Sequence, residues 1–213
     1  MKYSPSFIEA NRLINVEVTA GWADDAIDSF KEKLSMEYGI EAGQTYFTGF
    51  WCQGDGACFE GYVSDWEKFL KAWGDTDYPA LRHLALNMRE LGDIQLSWQH
   101  RGRYYHSNAL AFDFEFYVDE KYCVEDEGEE GEATTGQSTD LRAILHTMKL
   151  ADCWKEADAF EKYACEFVRG LCDDLYKELE KTYDCLTSDE AVIGTLQAND
   201  VVEEVEEELA EAA

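Results

Sequence analysis

The alternation of apolar and polar positions changes period several times along the chain, and each change marks an element. Ser6 to Leu13 is a short amphipathic piece. Trp22 to Tyr38 carries Ala23, Ala26, Ile27, Phe30 and Leu34 at spacings of three and four, which predicts a helix stopped by Gly39. The period then shortens. Thr45 to Trp51 and Ala57 to Val63 are aromatic-rich runs joined through Gln53-Gly54-Asp55-Gly56, a hairpin signal in which the glycines are expected to supply positive φ on both sides of Asp55. Asp65 to Trp73 and Pro79 to Leu91 read as two helices broken at Gly74-Asp75-Thr76-Asp77, with Pro79 where a first helical turn tolerates it. Ile94, Leu96 and Trp98 alternate with Gln95, Ser97 and Gln99, the period of a half-buried strand. Arg101-Gly102-Arg103 turns it back, and Leu110, Phe112, Phe114, Phe116 and Val118 face one way on the returning strand.

Residues 119–137 lose nearly all apolar content and read as an exposed acidic loop. From Ser138 to Tyr183 the helical period returns over a length that predicts two helices, the second burying a stripe of Phe167, Leu171 and Leu175. Asp158 with Lys162 and Asp173 with Lys177 are spaced to pair on its outer face. A short helix after Ser188 runs to about Leu196, and the Glu-rich end reads as a solvated tail. These elements predict an α+β fold: an antiparallel sheet of about four strands, drawn from Thr45–Val63 and Ile94–Val118, with helices packed on one face. Residues 1–197 are expected to form a single domain containing the acidic loop, and residues 198–213 an acidic tail.

Charge changes the picture most. Among 213 residues, 46 Asp and Glu stand against 18 Lys and Arg, a net charge of −28. Direct binding of nucleic acid through its phosphates is disfavoured. The chain is 46% hydrophobic and 14% aromatic, enough to bury a core, so it is not a disordered acidic polymer. Those aromatics also argue against a surface adapted to high salt. Seven cysteines without a C-x-x-C pair suit neither a secreted disulfide framework nor a zinc ribbon, which predicts reduced thiols in a reducing cytoplasm and no metal. The first residues lack an apolar leader and no apolar run is long enough to span a bilayer, so a soluble, non-exported protein is expected.

Candidate chemistry concentrates in two turns. The Gln53–Gly56 turn is glycine-rich, and backbone N–H groups in such turns can cradle phosphate. It lacks Lys or Arg, no GK[ST] follows, and Asp55 repels an anion, so a structural hairpin competes with a ligand loop. Arg101, Arg103, His100 and His106 form the one local basic cluster, with Tyr104 and Tyr105 available for stacking. It reads either as an exposed turn whose arginines pair with surface carboxylates or as an anion or nucleotide site. Gln53, Asp55, Arg101, Arg103, Tyr105 and His106 are accordingly the candidate ligand site. Nucleophilic catalysis would draw on Cys52, Cys58, His83, His100, His106 and His146, which sequence alone does not bring together. No catalytic residue or cofactor is assigned, and an enzyme is the less favoured reading.

Two segments, Phe47-Thr48-Gly49-Phe50-Trp51-Cys52-Gln53-Gly54-Asp55-Gly56-Ala57-Cys58-Phe59-Glu60-Gly61 and Gly102-Arg103-Tyr104-Tyr105-His106-Ser107-Asn108, carry a resemblance. With them, from roughly Trp22 to Asn199, the chain resembles a group of small phage and prophage proteins of unknown function. These share an F-x-G-F-x-x-Q-G-D-G-A-x-F-x-G hairpin and a Y-Y-H-S-N-like segment. The resemblance implies a phage origin and a setting in the host cytoplasm; it transfers no catalytic residue. The acidic insert at Glu125 to Glu132 and the Glu-rich tail depart from the pattern.

A duplex carries one charge per about 1.7 Å of axis, so a charge of −28 matches roughly 48 Å of B-DNA. A compact chain of this length has a diameter of about 44 Å. The match leads to an expectation: a phage-encoded acidic protein that inhibits a basic, nucleic-acid-binding host protein or defence complex by imitating DNA, with no membrane involved. Glu125, Asp126, Glu127, Glu129 and Glu130 are the first choice for contact, against their reading as a solvated linker. The alternatives are a nucleotide-like ligand site or small enzyme built on the two turns, and an antitoxin for a basic toxin.

Overall fold

One glycine decides where a helix ends and the sheet begins. In the computed structural model, which describes residues 3–19, 21–50, 52–72, 92–118 and 154–203, helix α2 (Trp22–Lys33) widens into a π turn (Leu34–Tyr38) and stops at Gly39. Gly39 has φ +64°, and a Cβ there would lie 2.3 Å from the Asp65 carbonyl oxygen. Only glycine accepts both conditions. The Gly39 carbonyl in turn accepts the N–H groups of Ser64 (2.8 Å) and Asp65 (3.0 Å), and the Asp65 carboxylate caps helix α3 (Trp66–Ala72) by accepting from the N–H groups of Glu67 and Lys68.

Four antiparallel strands follow in simple meander order: β1 (Ile40–Phe47), β2 (Ala57–Val63), β3 (Gly92–His100) and β4 (Leu110–Val118). The fold is α+β. β3 and β4 pair without a break from Gly92↔Val118 to His100↔Leu110. β1 pairs β2 around an irregularity between Ala42 and Thr45. β2 and β3 pair only at Gly61↔Trp98 and Tyr62↔Ser97. Where that ladder lapses, side chains take over: the Trp98 indole Nε1–H donates to the Phe59 carbonyl (2.9 Å), and Glu60 Oε1 accepts the His100 N–H (3.1 Å). The Phe59 carbonyl and the His100 N–H thus find partners.

The sheet departs from the sequence expectation in two places. β1 begins at Ile40 and ends at Phe47, because Glu41, Gly43 and Gln44 mask its alternation and Thr48–Gly56 belongs to the connection. Neither Gly54 nor Gly56 adopts positive φ; among the described glycines only Gly21 and Gly39 do. Gly56 is required by space instead, since a Cβ there would lie 2.8 Å from His106 Nδ1 and from the Tyr105 carbonyl oxygen.

The described residues divide into two compact units, Ser29–Tyr176 and a second made of Met1–Asp28 with Lys177–Ala213. In the first, the sheet buries Phe59, Val63, Leu96, Trp98 and Leu110. Helix α4 (Trp154–Leu186) contributes Ala164, Val168, Leu171, Cys172 and Leu175 to this core. Phe30 meets Phe59 edge-on (6.1 Å), and Arg169 lies over the Phe112 ring (5.2 Å). Of the expected stripe, Leu171 and Leu175 are buried; Phe167 is half-buried between Tyr38 (5.9 Å) and Phe69 (5.5 Å). Described as one helix, α4 covers the second half of the span read as two; residues 138–153 lie outside the described residues, as does the expected helix Pro79–Leu91. On the outer face Lys162 pairs with Glu166 (3.7 Å).

In the second unit, helix α1 (Pro5–Val18) is capped by Ser4, whose Oγ accepts from the Phe7 N–H, and helix α5 (Asp189–Ala198) by Ser188, whose Oγ accepts from the Ala191 N–H. Ile8, Val192 and Leu196 form its apolar centre, with Tyr3, Phe7, Ile193 and Val201 around it. Arg12 reaches both the Thr187 carbonyl and the Asp189 carboxylate. The start of the expected free tail is tied down: Tyr3 donates to the Val201 carbonyl (2.8 Å), and the Ser4 N–H and hydroxyl both donate to the Glu203 carboxylate. No helix of the described residues is long and apolar enough to cross a membrane.

Candidate functional site

The meander brings the β1–β2 connection and the β3–β4 connection to one end of the sheet, where they touch. The first connection is shaped from within. Thr48 N–H donates to the Gly56 carbonyl and the Gly56 N–H donates to Thr48 Oγ1, both at 3.0 Å, while Asp55 N–H donates to the Cys52 carbonyl and the Cys52 N–H donates to Asp55 Oδ2 (2.5 Å). The Asp55 carboxylate is therefore committed to its own turn. The second connection folds back through the Arg101 N–H to the Ala109 carbonyl (2.8 Å) and the Ala109 N–H to the His106 carbonyl (2.9 Å).

Contact between them runs through Gly54 beside the Tyr104 ring and Gly56 beside His106 and the Tyr105 carbonyl. Next to this seam Tyr46, on β1, stacks on Tyr105 (5.3 Å, 23°) and lies 4.9 Å from the His100 ring, which is itself 5.3 Å from Tyr105. His100 Nε2 lies 3.1 Å from the Tyr104 carbonyl oxygen. The Tyr46 hydroxyl donates to Glu60 Oε1 (3.2 Å), the oxygen that also accepts the His100 N–H. Burial first, and the Glu60 carboxylate second, push the Tyr46 hydroxyl above the ordinary tyrosine range, so it stays a donor at neutral pH.

Of the sequence candidates, Tyr105 and His106 meet Gly56 at this seam, Asp55 is held within its own turn, and the two arginines have different surroundings. Arg103 lies over the Tyr104 ring (5.7 Å), and Arg101 lines a cavity of about 270 Å³ with Ser97, Gln99, Phe112 and Asp113. Arg103, His100 and His106 of the expected basic cluster thus lie beside Tyr104 and Tyr105, and Arg101 lines the cavity. Tyr46 and Glu60, which complete this group through the Tyr46–Glu60 hydrogen bond, carry no mark in the sequence, because their meeting depends on the β1–β2 register. Cys58 is fully buried and its thiol is pushed up to about 11, first by burial and then by Glu60, which disfavours a thiolate nucleophile here. Among the described residues no three His, Cys, Asp or Glu side chains are grouped to hold a metal ion.

The other candidate surface is the carboxylate excess. Glu125, Asp126, Glu127, Glu129 and Glu130 lie outside the described residues. The excess nevertheless extends well beyond them: the described residues hold 28 of the 46 carboxylates and 12 of the 18 Lys and Arg side chains. In the unit of Met1–Asp28 and Lys177–Ala213, twelve described carboxylates, ten of them exposed, stand against Arg12, Lys177 and Lys181. Arg12 is already held by Glu9 and Asp189, which raise its pKa.

The model of one protein family, described as a domain of unknown function (DUF8835), matches residues 22–189. No curated protein and no solved structure matches the chain.

Proposed function

The chain belongs to the DUF8835 family, whose description names no activity, and we propose that it is a phage-encoded acidic interaction protein acting in the host cytoplasm. In this reading it occupies the Lys- and Arg-rich groove of a host nucleic-acid-binding protein and inhibits it as a DNA mimic does. The observation that carries the reading is the excess of exposed carboxylates on folded helices and strands. Carboxylates held on ordered elements keep their spacing when a basic groove approaches, so little ordering cost opposes association and the field steers encounter. The test is capture from host lysate on the immobilised protein, followed by elution with duplex DNA. A nucleic-acid-binding protein released by DNA supports the reading; a partner retained in excess DNA overturns it.

A second reading, a nucleotide-like ligand at the seam of the two turns, is favoured by the Tyr46–Tyr105 stack beside His100. Titration with nucleoside mono- and triphosphates, followed by NMR of the Tyr46, His100 and Tyr105 resonances, separates the two. Shifts confined to those residues favour the ligand site, and an unchanged spectrum removes it.

A further inference from the structure

Among the described residues, one face of the sheet carries exposed side chains, and they are not those of a passive surface. Register places Glu41, Tyr62, Ser97 and Asp113 in a single row across all four strands, since Glu41 pairs with Tyr62, Tyr62 with Ser97 and Ser97 with Asp113. The neighbouring row of Gly61, Trp98 and Phe112 belongs to the opposite face, where Trp98 is 1% exposed. By contrast Tyr62 is 53% exposed, and Glu41 and Asp113 are exposed. Tyr62, Ser64, Gln95, Ser97, Asp113 and Glu115 line a cavity of about 520 Å³.

We propose that this sheet face is a docking surface for an arginine-bearing segment of the basic partner. The proposal rests on the acidic-interaction reading and gives it a location. Tyr62 and Asp113 stand two strand spacings apart, about 10 Å, with the small Ser97 between them as a floor. A guanidinium entering there can lay one face on the Tyr62 ring while its edge meets the Asp113 carboxylate. Arginine suits the place better than lysine, because a planar fork can stack and bind a carboxylate in the same pose. Charge is complementary along the row, with carboxylates at both ends and Glu115 two residues beyond Asp113 on the same face. Among the described residues Arg101, which lines the adjacent cavity with Asp113, makes no ion pair with it, and the Asp113 side chain is exposed.

The test uses the full chain and a short peptide alternating arginine and glycine, followed by NMR at low salt. The expected result is that the amides of Tyr62, Ser97 and Asp113 shift most. Tyr62→Ala and Asp113→Asn should each weaken the peptide roughly fivefold or more. Tyr62→Phe should bind like the parent, and so should the paired control Asp184→Asn with Glu190→Gln on the helical unit. All these side chains are exposed, and unchanged circular dichroism checks the fold of each variant. Shifts spread over the surface, with Tyr62→Ala and Asp113→Asn no weaker than the control, overturn the sheet-face proposal while leaving an acidic interaction protein standing. A parent chain that does not bind the peptide at low salt overturns both.

Discussion

At the residue scale, Cys58 shows how burial decides chemistry. Its side chain is 0% exposed, and burial followed by the Glu60 charge lifts the thiol from 9.0 to about 11; burial lifts Cys172 to about 12. A raised thiol pKa means that the unfolded chain ionises first as pH rises. The stability these thiols contribute is therefore complete below about pH 9 and is lost progressively as pH climbs through about 11. Urea unfolding at pH 8 and pH 10.5 should show a lower midpoint at the higher pH, and Cys58→Ala should reduce the difference. In the native protein at pH 8, a thiol reagent should label the exposed Cys52 and Cys185 before Cys58 and Cys172. The seven cysteines were legible as a set without disulfide or zinc spacing, but which of them are buried was not, because burial depends on which strand face and helix face each occupies. Gly56 teaches the same lesson. Its importance was visible in the glycine-rich turn, while the cause, the close approach of His106 and the Tyr105 carbonyl from a turn some fifty residues away, was not. Gly56→Ala should cost about 1–3 kcal/mol by thermal unfolding, since backbone as well as a ring must give way.

At the scale of elements, period served well where one face is buried. Leu96 and Trp98 alternate with exposed Gln95 and Gln99 as expected, and the helix after Ser188 begins at its cap. Period failed for the start of β1, where glycine and polar residues sit at an irregularity in the ladder and the strand is held by pairing with β2. The helical stripe of α4 was legible too, and its centre runs through Val168 and Cys172 as well as Ala164, Leu171 and Leu175. Leu175→Ala, at 1% exposure, should cost about 2–5 kcal/mol. Gly170 lies in the same helix with nothing within 4 Å of a built Cβ, so Gly170→Ala should stabilise by about 0.5–1 kcal/mol. A melting temperature that falls in Gly170→Ala would contradict the packing assigned to this helix. The two turns of the candidate ligand site were each marked in the sequence, and the meander order explains why they meet; the different surroundings of Arg101 and Arg103 depend on turn geometry that residue types do not encode.

At the scale of the whole molecule, the net charge of −28 was the strongest signal in the sequence and remains the basis of the functional account. The structure adds that carboxylates outnumber basic side chains on the described elements of both units, so charge is not confined to residues 119–137 and 204–213. The most direct measurement is the association rate with the captured nucleic-acid-binding partner as a function of salt. It is made for the parent and for a variant with Glu125→Gln, Asp126→Asn, Glu127→Gln, Glu129→Gln and Glu130→Gln. An electrostatic decoy loses rate steeply as salt rises, because exposed charges are screened within about 8 Å at physiological ionic strength. The account predicts that steep decline for the parent, and a slower rate with a shallower decline for the variant, at unchanged thermal stability. A parent whose association is indifferent to salt and to competing nucleic acid would contradict it.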